Sequence, residues 1–332
     1  MTEHSKLSHG SATAASLFER ADAAFGLDRV GPAAVPKDLP KRQKPAVRNQ
    51  AKHVPAPTVG TPAEPVSAAR PNDAAHPAPP SANPKPQPVV FSGPRMEIDR
   101  YDLLEAGVIV PEDPVTGLLE EFRIVKRELL ADARASGNDA ARRLLVCSPH
   151  PGEGKTYCAM NLAIALAAER NVEVLLVDAD LLNPTIARRL GVSAEAGFMD
   201  ALVDERIKPE SVVSPTDIDG LFVLPAGTTS ARDAEYLTSE RTGEVLDRLT
   251  RDAPNRFIIF DTPPALAASP AAELAAYVGQ ALLVVRADET SRVALDDARQ
   301  LLSACPDIKL LLNAAQFSPS GRRFGEYGER ED

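Results

Sequence analysis

The stretch Ser148-Pro-His-Pro-Gly-Glu-Gly-Lys-Thr156 decides the fold of this chain. An apolar run, 144–147, precedes it, and Tyr157–Arg170 follows with apolar positions at helical spacing. These segments predict a strand, a tight loop and a helix. Gly152 and Gly154 let backbone N–H groups turn inward, and the helix N-terminus adds partial positive charge. The loop is therefore predicted to cradle a polyphosphate. A glycine turn with a chance lysine is the alternative, and the flanking strand and helix disfavour it.

The end of the loop carries the residue types that phosphate and metal binding require. Lys155 can reach the β- and γ-phosphates of a nucleotide, and the hydroxyl of Thr156 is placed to ligate Mg²⁺. The residues predicted to surround the phosphates are Pro151, Gly152, Glu153, Gly154, Lys155, Thr156 and Tyr157.

Later apolar runs predict the rest of the domain. Segment 172–178 is almost continuously apolar, as is typical of a strand buried on both faces of a parallel sheet. Further strands are predicted at 221–225, 256–261, 281–286 and 309–313, and helices at 114–135, 239–251, 270–277 and 291–304. Alternating strands and helices predict an α/β fold, a P-loop NTPase three-layer sandwich with a mostly parallel central sheet.

Two predicted strands end in acids. Asp178 and Asp180 follow one strand, and Asp261 ends the strand 256–261. Strand ends of a parallel sheet converge on the phosphate loop, where a hard cation needs oxygen ligands. Asp180, Asp261 and Thr156 are predicted to hold Mg²⁺, while Asp178 could orient or deprotonate a nucleophile. A single strand-end Asp is often only a helix cap, but two such ends after a phosphate loop weaken that alternative.

The loop departs from two common patterns. Residue 149 is proline where the usual P-loop has its first glycine, and residue 150 is histidine where partitioning and positioning ATPases have a lysine. The proline makes the match to the common P-loop incomplete, and the histidine disfavours a ParA- or MinD-like ATPase. His150 is more often a plain loop residue than a catalyst.

Composition separates the first part of the chain from the rest. Of the 30 prolines, 16 fall between Pro32 and Pro94. Residues 1–95 carry 12 Lys and Arg and 7 Asp and Glu. The whole chain has 37 and 47, so residues 96–332 carry 25 Lys and Arg and 40 Asp and Glu. The N-terminal region is therefore basic and the rest of the chain acidic. We expect a disordered Pro/Ala-rich region at 1–95 that could form a short helix at 16–26, a P-loop domain at 96–316, and a flexible tail at 317–332.

Several function classes are disfavoured by composition. The basic charges of residues 1–95 are scattered and are not regularly interleaved with aromatic residues, so we expect no specific nucleic-acid binding. Cys147, Cys158 and Cys305 lack metal-ligand spacing, which favours reduced thiols in a cytoplasmic protein. No apolar run reaches the ~18 residues of a membrane span, and there is no apolar signal core. Membrane association is expected only through a partner or a surface contact.

A family resemblance rests on these motifs taken together. Segments 148–156, Asn161-Leu-Ala, Asp178-Ala-Asp180 and Phe260-Asp-Thr-Pro-Pro264 resemble the bacterial tyrosine kinases (BY-kinases) of capsule and exopolysaccharide synthesis. Leu103–Pro111, Glu120–Leu130, Leu224–Gly227 and Val278–Gln280 resemble the exosortase-associated tyrosine autokinase branch, as does Ser16–Arg20. The resemblance covers roughly Glu97 to Ala315.

The resemblance implies a cytoplasmic kinase that uses ATP and Mg²⁺ to phosphorylate tyrosines in its own tail. Lys155, Asp178, Asp180 and Asp261 would be catalytic, Asn313 would lie near the base, and Tyr327 would be the phosphoacceptor. The kinase would form a homo-oligomer beside a membrane polysaccharide co-polymerase that activates it, and so lie peripherally at the inner membrane. The family's oligomerisation motif falls on Glu120, Arg123 and Lys126, with Arg127 adjacent.

Two departures from the family keep alternatives open. No basic residue follows Asp180 at two or three positions, where the chain reads Leu182-Asn183, and Tyr327 is the one tyrosine in the last sixteen residues. A kinase-inactive ATP-binding regulator of polysaccharide export is the second hypothesis, and a positioning ATPase is the third. Phosphotyrosine formation from MgATP separates the first two, and ATP-dependent DNA or lipid binding would revive the third.

Overall fold

A computed structural model of the chain describes residues 87–192 and 196–315. The predicted helix at 16–26 and the predicted tail at 317–332 lie outside the described residues. The helices are α1 Arg100–Glu105, α2 Gly117–Ser136, α3 Lys155–Ala167, α4 Ile186–Arg189, α5 Phe198–Val203, α6 Asp233–Leu237, α7 Glu240–Thr250, α8 Pro270–Leu274 and α9 Arg292–Leu301. The strands are β1 Arg143–Cys147, β2 Glu173–Asp178, β3 Ser214–Pro215, β4 Leu221–Leu224, β5 Arg256–Asp261, β6 Gln280–Arg286 and β7 Ile308–Asn313.

The strands form one sheet in the order β3-β4-β2-β5-β1-β6-β7. All neighbouring strands run parallel except β3 and β4. This arrangement confirms the predicted α/β fold with a mostly parallel sheet. Because β1 lies between β5 and β6, the carboxyl ends of the central strands meet where the phosphate loop leaves β1.

The central strands are buried on both faces. On β1, Leu145 belongs to one apolar cluster and Leu144 to the other, and the same alternation separates Phe260 from Ile259 on β5. Side chains of α2 and α3 cover one face of the sheet, and side chains of α5 to α8 cover the other. The near-continuous apolar runs of the sequence are therefore explained by helices on both sides, and the three-layer sandwich is confirmed.

Helix ends differ from prediction where local capping decides them. The predicted helix 114–135 is α2, which begins at Gly117 because the Thr116 side chain accepts a hydrogen bond from the N–H of Leu119. It ends at Gly137, whose φ of 62° closes the helix. The predicted helix 270–277 is α8 followed by a 3₁₀ turn at Ala275–Tyr277. The short helices α1, α4, α5 and α6 and the two-residue β3 were not predicted.

Residues 89–98 form a strap along the β3–β4 edge of the sheet. The N–H of Gly93 donates to the carbonyl of Val213 at 2.9 Å, and the N–H of Met96 donates to Pro215 at 2.8 Å. The ring of Phe91 packs edge-on against Phe222. Packed residues therefore begin before Met96, where the sequence places the start of the domain.

Arg256 holds the beginning of the strap. Its guanidinium lies 4.0 Å from the centroid of the Phe91 ring and donates to the carbonyl of Val89 at 3.0 Å. The same side chain is 3% exposed and is paired with Glu173 at 2.8 Å. A buried cation with an aromatic ring, a carbonyl and a carboxylate around it is fully satisfied, so the strap is part of the folded core.

Two further features are the state of the cysteines and the length of the helices. All three cysteines are free and buried. Within the described parts of the chain, no helix has both the length and the apolar character needed to cross a bilayer.

Replacing Phe91 with Ala tests the strap. Because the ring is 7% exposed and touches both Phe222 and Arg256, we expect Phe91→Ala to lower the free energy of unfolding by about 3 kcal/mol in urea denaturation. The control is Val90→Ala, since Val90 is 81% exposed and should change it by less than about 0.5 kcal/mol. Equal effects of the two substitutions would show that the strap is not part of the core.

Candidate functional site

The phosphate loop turns tightly between β1 and α3. Gly152 and Gly154 have φ values of 83° and 99°, in the region that favours glycine. A Cβ at Gly154 would lie 2.1 Å from the side-chain nitrogen of Asn313. Glycine is required at 154 for two reasons. Its backbone is left-handed, and the side-chain amide of Asn313 occupies the space that a Cβ would fill.

The loop is braced by its own buried acid. Glu153 is 5% exposed, and its carboxylate accepts hydrogen bonds from the N–H of His150 at 2.8 Å and from the hydroxyl of Thr290. The Asn313 side chain donates to the Glu153 carbonyl at 2.9 Å, and Arg286 donates to the Gly152 carbonyl at 3.3 Å. Residues at the ends of β6 and β7 therefore fix the loop, and His150 contributes through its backbone.

Lys155 connects the loop to both predicted metal-binding acids. Its ammonium lies 2.5 Å from Oδ2 of Asp180 and 3.9 Å from Oδ1 of Asp261. The three side chains are 12%, 8% and 0% exposed. Strong shielding from water makes these charge contacts stronger than surface ion pairs.

Asp261 is a buried acid without a hydrogen-bond partner. Neither of its carboxylate oxygens bonds to a residue in the described parts of the chain. Burial raises the pKa of Asp261 to about 7, although the charge of Lys155 opposes the shift. Two orphaned buried oxygens beside Thr156 and Asp180 fit a divalent cation, since Mg²⁺ prefers one or two carboxylates together with phosphate oxygens.

The protein does not offer a complete cage for a metal. Within 87–192 and 196–315, no group of three or more His, Cys, Asp or Glu side chains is placed to hold an ion. The donor set therefore suits a cation that arrives with phosphate oxygens supplied by a ligand.

Asp178 faces backbone rather than solvent. Its carboxylate accepts hydrogen bonds from the N–H of Ile186 at 2.9 Å and of Asp180 at 3.3 Å. The residue is 1% exposed, and burial raises its pKa to about 6. These bonds tie α4 and the Asp180 turn to the end of β2.

Two cavities adjoin the loop. One, of about 420 Å³, is lined by the residues Pro151, Gly152, Gly154, Lys155, Thr156, Tyr157, Asp180, Leu182, Asn183, Thr185, Arg189, Pro263, Pro264 and Ala267. We call it the phosphate cavity. The other, of about 440 Å³, is lined by Leu118, Glu121, Phe122, Ile124, Val125, Tyr157, Cys158, Leu311, Leu312, Asn313, Ala314 and Ala315. We call it the apolar cavity.

The predicted site residues divide between these features. The structure brings Lys155, Thr156, Asp180 and the loop glycines together, and it places Tyr157 in the walls of both cavities. Asn313 lies in the apolar cavity and on the loop backbone. The side chains of Asp178 and Glu153 are turned to their hydrogen-bond partners described above. Tyr327 lies outside the described residues.

The predicted oligomerisation residues have different environments. Glu120 and Arg123 form an ion pair one helical turn apart on α2. Lys126 is turned inward, where it donates to the Ala165 carbonyl and pairs with Glu169, both at 2.8 Å. Arg127 is exposed. Lys126 therefore contributes to the packing of α2 against α3.

Sequence reasoning missed three residues of this region. Arg189 lines the phosphate cavity, and Thr290 and Arg286 brace the loop from β6 and the turn after it. The buried carboxylate of Glu153 could have indicated a polar partner, but no sequence spacing identifies Thr290. Arg189 gave no signal because its position depends on the turn before α4.

Comparisons with known proteins place this geometry in a family. A sequence model described as an AAA domain matches residues 144–315, more than half of the chain, including the loop and both strand-end acids. The chain belongs to the AAA domain family. Its relatives include bacterial proteins named as tyrosine-protein kinases.

Two relatives show how far the similarity extends. Tyrosine-protein kinase YwqD of Bacillus subtilis is 27% identical over 236 residues, which cover 70% of this chain and 96% of YwqD. EpsB of Ralstonia nicotianae is 31% identical over 223 residues, which cover 67% of this chain but only 28% of EpsB. The chain thus spans less than a third of that longer relative, and the finer assignment to the exosortase-associated branch stays a prediction.

A solved structure shares the fold. The kinase domain of the Escherichia coli tyrosine kinase ETK superposes with a TM-score of 0.55 at 22% identity, covering 72% of this chain and 95% of that domain. The similarity supports the P-loop NTPase fold described above.

The buried carboxyl of Asp261 should make stability depend on pH. With its pKa raised to about 7, the folded protein keeps a proton that the unfolded chain has released, so its stability falls as pH rises from about 4 to about 7. We expect Asp261→Asn, without nucleotide and with chelator, to flatten the decrease of Tm between about pH 5 and pH 8 and to raise Tm at the upper end.

The control for this experiment is Asp297→Asn, an exposed acid on α9 that changes the same charge. It should leave the slope of Tm against pH unchanged. A lower Tm for Asp261→Asn at about pH 8, with the wild-type slope retained, would contradict the prediction.

Proposed function

We propose that the chain is an MgATP-dependent protein-tyrosine autokinase that transfers the γ-phosphoryl group to Tyr327 in its own tail and regulates exopolysaccharide or capsule polymerisation and export. The observation that carries the proposal is the meeting of Lys155, Thr156 and Asp180 at one cavity. The carboxylate of Asp261, which has no hydrogen-bond partner among the described residues, lies 3.9 Å from the ammonium of Lys155. The kinase names of YwqD and other relatives support tyrosine as the acceptor.

The phosphate end of the site would use the loop and the strand-end acids. Backbone N–H groups of residues 152–156 and the N-terminus of α3 would hold the phosphates, and Lys155 would exchange its contact with Asp180 for a phosphate oxygen. Thr156, Asp180 and Asp261 would hold Mg²⁺. When bound, the ion neutralises charge that develops on the transferred phosphoryl group.

Asp178 would act by positioning. Both of its observed bonds go to backbone N–H groups, so its carboxylate fixes the Asp180 turn and α4 in the place where the other acids need them. This role replaces proton abstraction in our proposal, because the side chain is buried away from the phosphate cavity.

The base would occupy the apolar cavity. Its walls come from α2, the start of α3 and the end of β7, and Tyr157 separates it from the phosphate cavity. A purine ring suits walls of Leu118, Phe122 and Val125, and Asn313 offers an amide for its polar edge. One nucleotide would thus span both cavities around the first turn of α3.

The wider assembly follows from the family resemblance. The kinase would form a homo-oligomer through Glu120, Arg123 and Arg127, and would be activated at the cytoplasmic face of the inner membrane by a polysaccharide co-polymerase. Lys126 points inward, whereas the adjacent basic residue Arg127 is exposed on α2. Arg127 would thus take the place in the interface that the motif gives to Lys126.

Replacing Lys155 with Met tests phosphoryl transfer. Because Lys155 is the cation at the loop that can reach the transferred phosphate, we expect Lys155→Met to lower phosphotyrosine formation from MgATP by about 100-fold or more, measured on the purified full chain by immunoblotting. The control is Lys208→Met, an exposed lysine outside both cavities, which should retain activity. Undiminished signal in Lys155→Met would refute the assignment.

Replacing Tyr327 with Phe tests the acceptor. Glu326 and Glu329 flank Tyr327 closely, and we expect Tyr327→Phe to remove most of the phosphotyrosine detected by mass spectrometry after incubation with MgATP. Tyr101→Phe is the matched control, because Tyr101 is 64% exposed and also lies among acids. Loss of signal in Tyr101→Phe alone would move the acceptor to α1.

A further inference from the structure

The phosphate cavity holds a second cation besides Lys155. Arg189, the last residue of α4, lines the same cavity as the loop. Lys155 is already paired with Asp180, whereas Arg189 forms no ion pair with an acid in the described parts of the chain. A nucleoside triphosphate carries more negative charge than one lysine, shared with two acids, can compensate.

The two cations lie on different walls. Pro151, Gly152, Gly154 and Lys155 form the loop side of the cavity, and the segment from Asp180 to Arg189 forms the side that follows β2. Backbone N–H groups of the loop are suited to the inner phosphates. A guanidinium on the other wall would be suited to the terminal phosphate, which extends beyond the inner phosphates held by the loop.

The helix that carries Arg189 is firmly held. Its first N–H, that of Ile186, donates to Asp178 at 2.9 Å, and the side chains of Ile186 and Leu190 are 0% and 1% exposed. The N–H of Arg189 donates to the Thr185 carbonyl at 2.9 Å. The end of β2 thus fixes the backbone from which the arginine extends, so that only its exposed side chain has to be ordered on binding.

We propose that Arg189 binds the terminal phosphate of a nucleoside triphosphate and thereby makes the site favour triphosphates over diphosphates. The fork of N–H donors on its guanidinium matches two phosphate oxygens. The inference rests on the proposed nucleotide site but not on tyrosine as the acceptor. Arg188, exposed and absent from the cavity wall, has no such role.

Calorimetric titration of the full chain tests this selectivity. The probes are a non-hydrolysable ATP analogue and ADP, each with Mg²⁺. We expect Arg189→Ala to weaken binding of the analogue about tenfold and to change ADP binding by less than about twofold. Arg189→Lys should lose less, because an ammonium keeps the charge but not the fork. Arg188→Ala, which removes the same charge from the same helix, should bind both like the wild type.

The outcomes separate the two proposals. Equal weakening of analogue and ADP by Arg189→Ala, or no weakening at all, would overturn the role of Arg189. If the wild type binds neither nucleotide, both proposals fall. If the selectivity appears but wild-type protein forms no phosphotyrosine, the kinase proposal alone fails and the terminal-phosphate site stands. Matching thermal melting curves for the two alanine variants establish that a difference is not caused by unfolding.

Discussion

The pairing of β2 with β5 places two acids side by side in the interior, and the rest of the site depends on how their charges are compensated. In this register Asp178 lies opposite Asp261. Both are buried, and carboxylates that are removed from water and close to each other resist ionisation. Asp178 is compensated by backbone N–H groups and Asp180 by Lys155. The ammonium of Lys155 lies 3.9 Å from Oδ1 of Asp261, farther than it lies from Asp180. A bound cation would therefore be stabilised most by the carboxylate of Asp261.

The sequence predicted the parts of this arrangement that follow from topology. Long apolar runs identify strands covered on both faces, and acids at the ends of such strands must converge because parallel strands end at one edge. This reasoning placed Asp180 and Asp261 near Lys155 without coordinates. The positions of the longer helices were also predictable, while their ends were set by single capping groups such as Thr116.

What the sequence could not predict depends on turns and on side-chain direction. Arg189 reaches the phosphate cavity because Asp178 captures the first N–H of a four-residue helix, and so short a helix has no periodicity to detect. Lys126 occupies a charged position on α2, yet its long aliphatic stem lets the ammonium reach the Ala165 carbonyl beneath it. Charge spacing alone cannot distinguish such an inward lysine from an exposed one.

Asn313 connects the apolar cavity to the phosphate loop. Asn313 lines the apolar cavity, and its amide crosses Gly154 to donate to the Glu153 carbonyl. A base in the apolar cavity would therefore pack against the residue that fixes the phosphate loop. The same cavity is walled by α2, whose other side chains include Arg123 and Arg127. A nucleotide bound as proposed would thus pack directly against α2, which is the physical requirement for it to influence assembly through that helix.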